Sequence, residues 1–435
     1  MLLVQAIIAW SLFAFGGAYT WTLWPILAGT IWLAWRVRPP IFRSALDLSL
    51  AAIGVAIAIQ LIPLPLAARQ WLSPHGVRLQ TVLSVAGAPI GAHPLSIDPA
   101  GTAYALILTI TLLLFFWSTR ELLRDGGVRR LVRAIAWIGL IVALVAIVQR
   151  ALSPLLIYGI WQPFDRGARP FGPFVNRNHL VAWMLMAIPL SGGYALARSG
   201  AAAVHSAHRR TPPISVTVFW LIVASLVMTA AIFVSLSRTG IVGVAAIAAI
   251  GWIFARGRLR RAHAWWIAGI AAVALLAVVS FTNVPALLSR FDVMSAATGI
   301  DRRDIWRDTL GVSRDFWLTG TGAGTYQVAM LEYQTVKQRD VFFNEAHNLL
   351  LQFVAEGGLL MLVPLVAAIG LFAATARARL SDRSGVYWMR AAALTGLGAV
   401  SVQAFWETGL AMPANAVLFA TLAAIVVHEP ADAGR

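Results

Sequence analysis

Apolar runs long enough to cross a bilayer fill this chain from Leu2 to His428, and arginines gather on every second connection between them. Arg36, Arg38 and Arg43 share one connection, and Arg120, Arg124, Arg129, Arg130 and Arg133 the next. Arg198, Arg209 and Arg210 follow, then Arg256, Arg258, Arg260 and Arg261, then Arg377, Arg379, Arg383 and Arg390. Positive side chains beside membrane spans stay on the cytoplasmic side, so this alternation sets the sidedness of every loop. Only 12% of the residues are charged, against about a quarter in an average soluble domain. Backbone in hydrocarbon must satisfy its own hydrogen bonds, so the expected fold class is an all-α polytopic membrane protein.

The runs divide into about twelve expected spans: roughly 2–16, 20–36, 45–64, 102–118, 132–149, 179–197, 215–236, 239–255, 264–282, 347–374, 388–406 and 412–428. Several are near the short limit for a bilayer, so tilted or broken helices are expected among them. The first run lacks a basic leader and reads as a retained helix rather than a cleaved signal. The basic loops put both termini in the cytoplasm. Residues 1–282 then hold spans one to nine, with loops 65–101 and 150–178 outside, and 283–346 form a large external subdomain between spans nine and ten. Residues 347–428 hold the last three spans, and 429–435 are a cytoplasmic tail.

The 283–346 segment mixes charges of both signs, and its 301–318 stretch reads as an amphipathic helix with Ile305, Trp306, Leu310 and Trp317 on one side. Gly320, Gly322 and Gly324 end it. A connection this long, and this aromatic, is expected to be ordered and functional.

Several chemistries are excluded. The chain has no cysteine, hence no thiolate catalysis or disulfide. It has no phosphate-binding loop (its single lysine is Lys337) and no Asp-x-Asp motif. Gly320-Thr-Gly322-Ala-Gly324 lacks the strand–turn–helix setting of a dinucleotide site. His205 and His208 lie in a basic cytoplasmic loop, where a solvated face is the better reading than a metal site. The net charge of +16 sits mainly in cytoplasmic loops, so it marks anionic membrane lipid rather than nucleic acid. No cofactor and no metal is expected.

Three constellations remain, all on the outer side. The first is Asn344-Glu345-Ala346-His347-Asn348, where the large loop enters a long apolar helix. Asn344 is placed to cap that helix, leaving His347 in a first turn whose dipole favours the neutral imidazole needed of a general base. Glu356 lies deeper in the span and is expected to pair with an arginine or orient the neighbours of His347. The second is Arg166-Gly-Ala-Arg169-Pro-Phe-Gly172 running through Asn176-Arg177-Asn178-His179 into a middle span. Arginine forks match phosphate oxygens and amides match sugar hydroxyls. The third is Ser235-Leu-Ser237-Arg238-Thr239-Gly240, whose arginine stands in an outer turn against the positive-inside rule. A transporter would scatter such polar groups through several spans; here they crowd one face.

At these residues the chain resembles the O-antigen ligase and polymerase superfamily of bacterial inner-membrane proteins. The His347-Asn348 pair followed by Gly357-Gly358, the Arg-Pro-Phe-Gly to Asn-Arg-Asn-His run, the Ser-Arg-Thr-Gly turn and the Arg303-Asp-Ile-Trp306 segment carry the likeness. The resemblance implies glycosyl transfer from an undecaprenyl-diphosphate-linked glycan on the periplasmic face, without nucleotide or metal. The acceptor is a lipid A–core sugar in ligases and another lipid-linked repeat in polymerases. In this reading His347 is the base, Arg169 and Arg238 hold the diphosphate, and Arg303 and Arg177 assist. Arg166, Asn176, Asn178, His179 and Asn348 are expected to contact substrate or orient the base.

The sidedness is testable. A cysteine placed at Gln334 should react with a membrane-impermeant maleimide in cells whose inner membrane is intact; reaction only after lysis would invert the topology.

Overall fold

The computed structural model describes residues 1–83, 91–164, 167–205, 215–256, 302–335, 342–381 and 386–430. Arg166, the expected span 264–282 and residues 283–301 lie outside these residues. The described chain is helical, with isolated bridges but no strands. Its helices are α1 (Leu2–Phe13), α2 (Leu23–Val37), α3 (Ala45–Gln60), α4 (Leu66–Leu72), α5 (Pro74–Leu83), α6 (Pro99–Leu122) and α7 (Val128–Leu152). There follow α8 (Arg177–His205), α9 (Val216–Val234), α10 (Arg238–Ala255), α11 (Arg302–Asp315), α12 (Tyr326–Tyr333), α13 (Leu349–Ser381), α14 (Tyr387–Gln403) and α15 (Pro413–Val427).

Among the described residues, six helices are long and apolar enough to cross a membrane: α6, α7, most of α8, α9, α10 and α13. The other helices at expected span positions, α1, α2, α3, α14 and α15, have 12, 15, 16, 17 and 15 residues. At 1.5 Å per residue they reach about 18–26 Å, short of a ~30 Å hydrocarbon core. Burial accounts for α15: it is apolar on all sides, and Leu422 to Val427 are all enclosed by other helices. The unbroken buried run Leu180–Ala187 makes α8 a second central pillar. Large apolar side chains point outward elsewhere, including Trp24 and Trp32 on α2 and Val363 and Ile369 on α13, as lipid-facing surfaces require.

Contacts sort the helix ends into two sets. In one, Asp47 at the start of α3 takes a two-pronged bond from Arg120 near the end of α6, at 2.6 and 3.1 Å. There too Arg390 of α14 donates to the carbonyls of Arg379 and His428, each at 2.9 Å. In the other set, Tyr158 donates to the carbonyl of Phe13, Leu349 N–H to Ala404, and Gln60 at the end of α3 to Thr319 and Glu356. This second end carries the described parts of 65–101, 150–178 and 302–346.

On it, α4, α5, α11 and α12 pack into a small subdomain around Leu79, Val312, Phe316, Tyr326 and Met330. The 301–318 stretch forms α11 and ends before the glycines, but its buried face differs from the expected one. Ile305, Asp308, Thr309, Val312 and Phe316 are buried, whereas Leu310 and Trp317 are exposed. Asp308 turns inward because Thr335 caps it, through N–H and hydroxyl, at 2.9 Å each.

The last long helix is divided. α13 has 33 residues with a non-helical Gly358 (φ 53°, ψ −157°), and about 50 Å exceeds the bilayer. The N–H groups of Leu359 and Leu360 leave the helical ladder for the carbonyls of Trp317 and Leu318, at 2.8 and 3.0 Å. Residues 349–357 thereby belong to the subdomain and 359–381 to the membrane-length part. The glycines after α11 allow this docking. A Cβ on Gly320 (φ 67°) would lie 2.1 Å from the Glu356 carbonyl oxygen, and one on Gly358 2.6 Å from Gly320 N.

Gly320→Ala and Gly358→Ala should each cost at least ~1–3 kcal/mol from backbone strain alone, with a backbone clash added. Both should unfold in detergent at clearly lower temperature than wild type, while Gly370→Ala, whose Cβ would meet nothing within 4 Å, should not.

Candidate active site

His347 sits in the turn before α13, not inside its first turn as the sequence implied. It has φ 49°, in the left-handed region, and Asn348 rather than Asn344 caps the helix by accepting Leu351 N–H at 3.0 Å. Asn344 is exposed. The turn is pinned on both sides: Trp306 Nε1 donates to the carbonyl of Ala346 at 3.1 Å, and Ala346 N–H donates to Gln352 Oε1 at 3.1 Å. The Gln352 amide in turn donates to Glu356 at 3.2 Å. Glu356 also accepts the N–H groups of Gly324 and Tyr326, at 2.9 and 3.1 Å. Its role is thus to lock the glycine-rich loop and the His347 turn together rather than to pair with an arginine.

Beside His347 lies a carboxylate the sequence reading passed over. Glu407, in the turn after α14, is 1% exposed. Its Oε1 accepts Arg302 Nη2 at 3.0 Å and Asn178 Nδ2 at 2.8 Å, while Oε2 stands 4.0 Å from His347 Nδ1. Burial pushes the Glu407 carboxyl up to about 6, against the pull of Arg302. Burial likewise lowers the affinity of His347 for a proton, opposed by the charge of Glu345 and reinforced by Arg302. Glu345 is held by the Thr408 hydroxyl from the same turn as Glu407.

Gln403, at the end of α14 and 1% exposed, joins the third constellation to the second. Its amide donates to the carbonyl of Asn178 and to Thr239 Oγ1, each at 3.3 Å. Thr239 is the neighbour of Arg238, at the N-terminus of α10. That helix start is capped by Ser237, which accepts Gly240 N–H at 3.1 Å, after a left-handed Leu236 (φ 54°). Arg238 therefore stands half-buried at a helix start, where the helix dipole favours an anion.

The second constellation is folded on itself before α8 begins. Arg177 N–H donates to the carbonyl of Arg169 at 3.1 Å, and Asn178 N–H to Asn176 Oδ1 at 2.9 Å. This fixes Arg169, with an exposed side chain, over the start of α8. Arg177 lies within electrostatic reach of Glu407. His179 is buried; Asn415 donates to its carbonyl at 2.9 Å, and its ring packs on Gly409. Arg303 is exposed on α11, one residue from Arg302. The structure thus gathers His347, Asn348, Asn176, Arg177, Asn178, His179 and the Arg238 turn around Gln403 and Glu407. Sequence reading missed Arg302, Gln403 and Glu407. A faint signal was there: Gln403 and Glu407 are polar residues at the end of an apolar run, where lipid has no use for them. Among the described residues no three His, Asp or Glu side chains gather as a metal site would need.

Arg302→Ala should leave a buried acid without its cation and cost on the order of 1–3 kcal/mol, allowing for the partial exposure of Arg302. Arg303→Ala should cost much less. Thermal unfolding of the two variants in one detergent measures the difference, and equal shifts would deny Arg302 this role.

No curated protein matches the chain. Residues 223–366 match the family model described as O-antigen ligase. The match takes in the Arg238 turn, α11, the glycine loop, His347 and the Gly357-Gly358 break, and over those residues the chain is similar to the O-antigen ligase family.

Proposed function

We propose that this protein is a glycosyltransferase of the ligase type, moving a glycan from undecaprenyl diphosphate to a sugar hydroxyl of a lipid A–core acceptor. The reaction is assigned to the periplasmic face of a bacterial inner membrane, in a chain of about twelve spans with both termini cytoplasmic. One observation carries the reading: three constellations far apart in sequence, around Arg169, Arg238 and His347, are tied to one another through Gln403 and Glu407. A scaffold has no need of that arrangement, and the basic connections of the opposite end supply the positive-inside sidedness.

The donor carries its energy in the glycosyl–diphosphate bond, so the protein needs only to orient, neutralise and accept a proton. His347 takes the proton of the acceptor hydroxyl as that oxygen attacks C1 of the donor sugar. The C1–O bond to the diphosphate breaks from the opposite side, the leaving diphosphate keeps the electron pair, and the anomeric centre inverts. Arg238 and Arg169 meet the charge that develops on the departing oxygens, with Arg303 and Arg177 assisting. The Asn178 amide is engaged by Glu407 and the Asn348 side chain caps α13, so both orient the site, and Asn176 shapes the Arg177 turn. Buried His179 supports this floor. A general base of this kind contributes ~10²–10⁴ in rate.

His347→Ala and His347→Gln should both abolish transfer in nanodiscs while donor-lipid binding stays near wild type, because an amide cannot take the proton. Arg238→Ala and Arg169→Ala should lose binding and rate, with Lys only partly restoring them. Substantial rate in His347→Gln would remove the base from this mechanism. Glycolipids of a deletion strain identify the acceptor: carrier-linked long chains point to ligation, single repeats on the outer core to a polymerase.

A further inference from the structure

The arrangement around Glu407 goes a step further, resting on the reading of His347 as base. An imidazole takes a proton at one nitrogen only if the other holds a hydrogen, and something must fix which is which. Nδ1 of His347 is enclosed and has no hydrogen-bond partner among the described residues, and neither does Glu407 Oε2, 4.0 Å away. The two orphaned atoms face each other. The other carboxylate oxygen is committed to Arg302 and Asn178, which hold the group in place from two separate helices, α11 and α8.

We propose that Glu407 is the positioning residue of His347: it receives the Nδ1 hydrogen when substrate closes the site, leaving Nε2 as the proton acceptor. The gap needs only about 1 Å of closure, and such catalytic hydrogen bonds are often long before substrate binds. As the acceptor proton arrives at Nε2, the imidazolium gains a buried counter-charge that is already oriented, the service a carboxylate gives histidine in hydrolytic triads. Asn178 gains a defined purpose as well: with Arg302 it fixes the direction in which the free oxygen points.

The groups facing Glu407 are Arg302 from α11, Arg177 and Asn178 from the start of α8, and Glu345 and His347 from the turn before α13. Thr408 engages one oxygen of Glu345; Glu407 is the carboxylate whose enclosed, unpartnered oxygen lies within 4.0 Å of Nδ1. Its working form is ionised. Burial raises its pKa from 4.5 to about 6, so the ionised fraction, and transfer with it, should fall as pH drops through about 6.

The test is single-turnover transfer and donor-lipid binding of Glu407→Gln and Glu407→Asp across pH 4.5–8 in nanodiscs, beside His347→Ala. The amide of Glu407→Gln can still accept from Arg302 but presents N–H to Nδ1, which selects the unproductive tautomer. It should bind donor within a few-fold of wild type, react at least ~100-fold more slowly, and lose the acid limb near pH 6. Glu407→Asp should recover part of the rate with the limb retained. If Glu407→Gln reacts at the wild-type rate, or loses rate and donor binding together with the pH limb unchanged, Glu407 does not position His347. If His347→Ala remains active, the reading of His347 as base has failed, whatever Glu407 does.

Discussion

A carboxylate enclosed at one end of the helix bundle is the constraint around which this structure is arranged. A buried ionised group costs several kcal/mol unless it is paired and hydrogen-bonded, and Glu407 is satisfied only by groups from elsewhere in the chain. Arg302 comes from α11 of the small subdomain, Asn178 from the start of α8, and His347 from the turn before α13. Three helices must end at the same height for that set to form. Gln403, one turn earlier, extends the same logic to α10 through Thr239.

The subdomain delivers Arg302 because it is docked closely on the bundle. That docking is backbone against backbone: Gly320 lies against Glu356, and Leu359 and Leu360 bond to Trp317 and Leu318. Buried Gln60 stitches the end of α3 to both, donating to Thr319 and Glu356 and accepting Ala323 N–H at 3.0 Å. Glu356 closes the circuit through Gln352 to the His347 turn. The break at Gly358 thus has a use. It lets one continuous helical segment serve first as a wall of the site and then as a membrane-length helix.

Much of this was legible from residue types. Helices occur at each described span position, and the arginine alternation separates the same two sets of helix ends that the contacts separate. His347, Arg238 and the 169–179 run were visible because lipid and topology give no other reason for them. The rest depended on tertiary neighbours. Periodicity put Leu310 and Trp317 on the buried face of α11, yet the α4–α5 hairpin packs on the face through Leu79 and Phe316. Asn344 looked like the cap because it is a good capping residue near the helix start, but the left-handed turn at His347 moved the start to Leu349. Arg302 and Arg303 are indistinguishable by type; only the rotation of α11 decides which meets Glu407.

The central claim is that the diphosphate and the reacting sugar sit among these loops at the outer end of the bundle. Photo-crosslinking with an isoprenoid-diphosphate analogue, its diazirine next to the diphosphate, addresses that claim directly when adducts are mapped by mass spectrometry. The account predicts adducts within 169–179, 235–240 and 342–348, competed by natural donor lipid. Adducts concentrated on the arginine-rich connections of the opposite end, around Arg120 or Arg390, would contradict it.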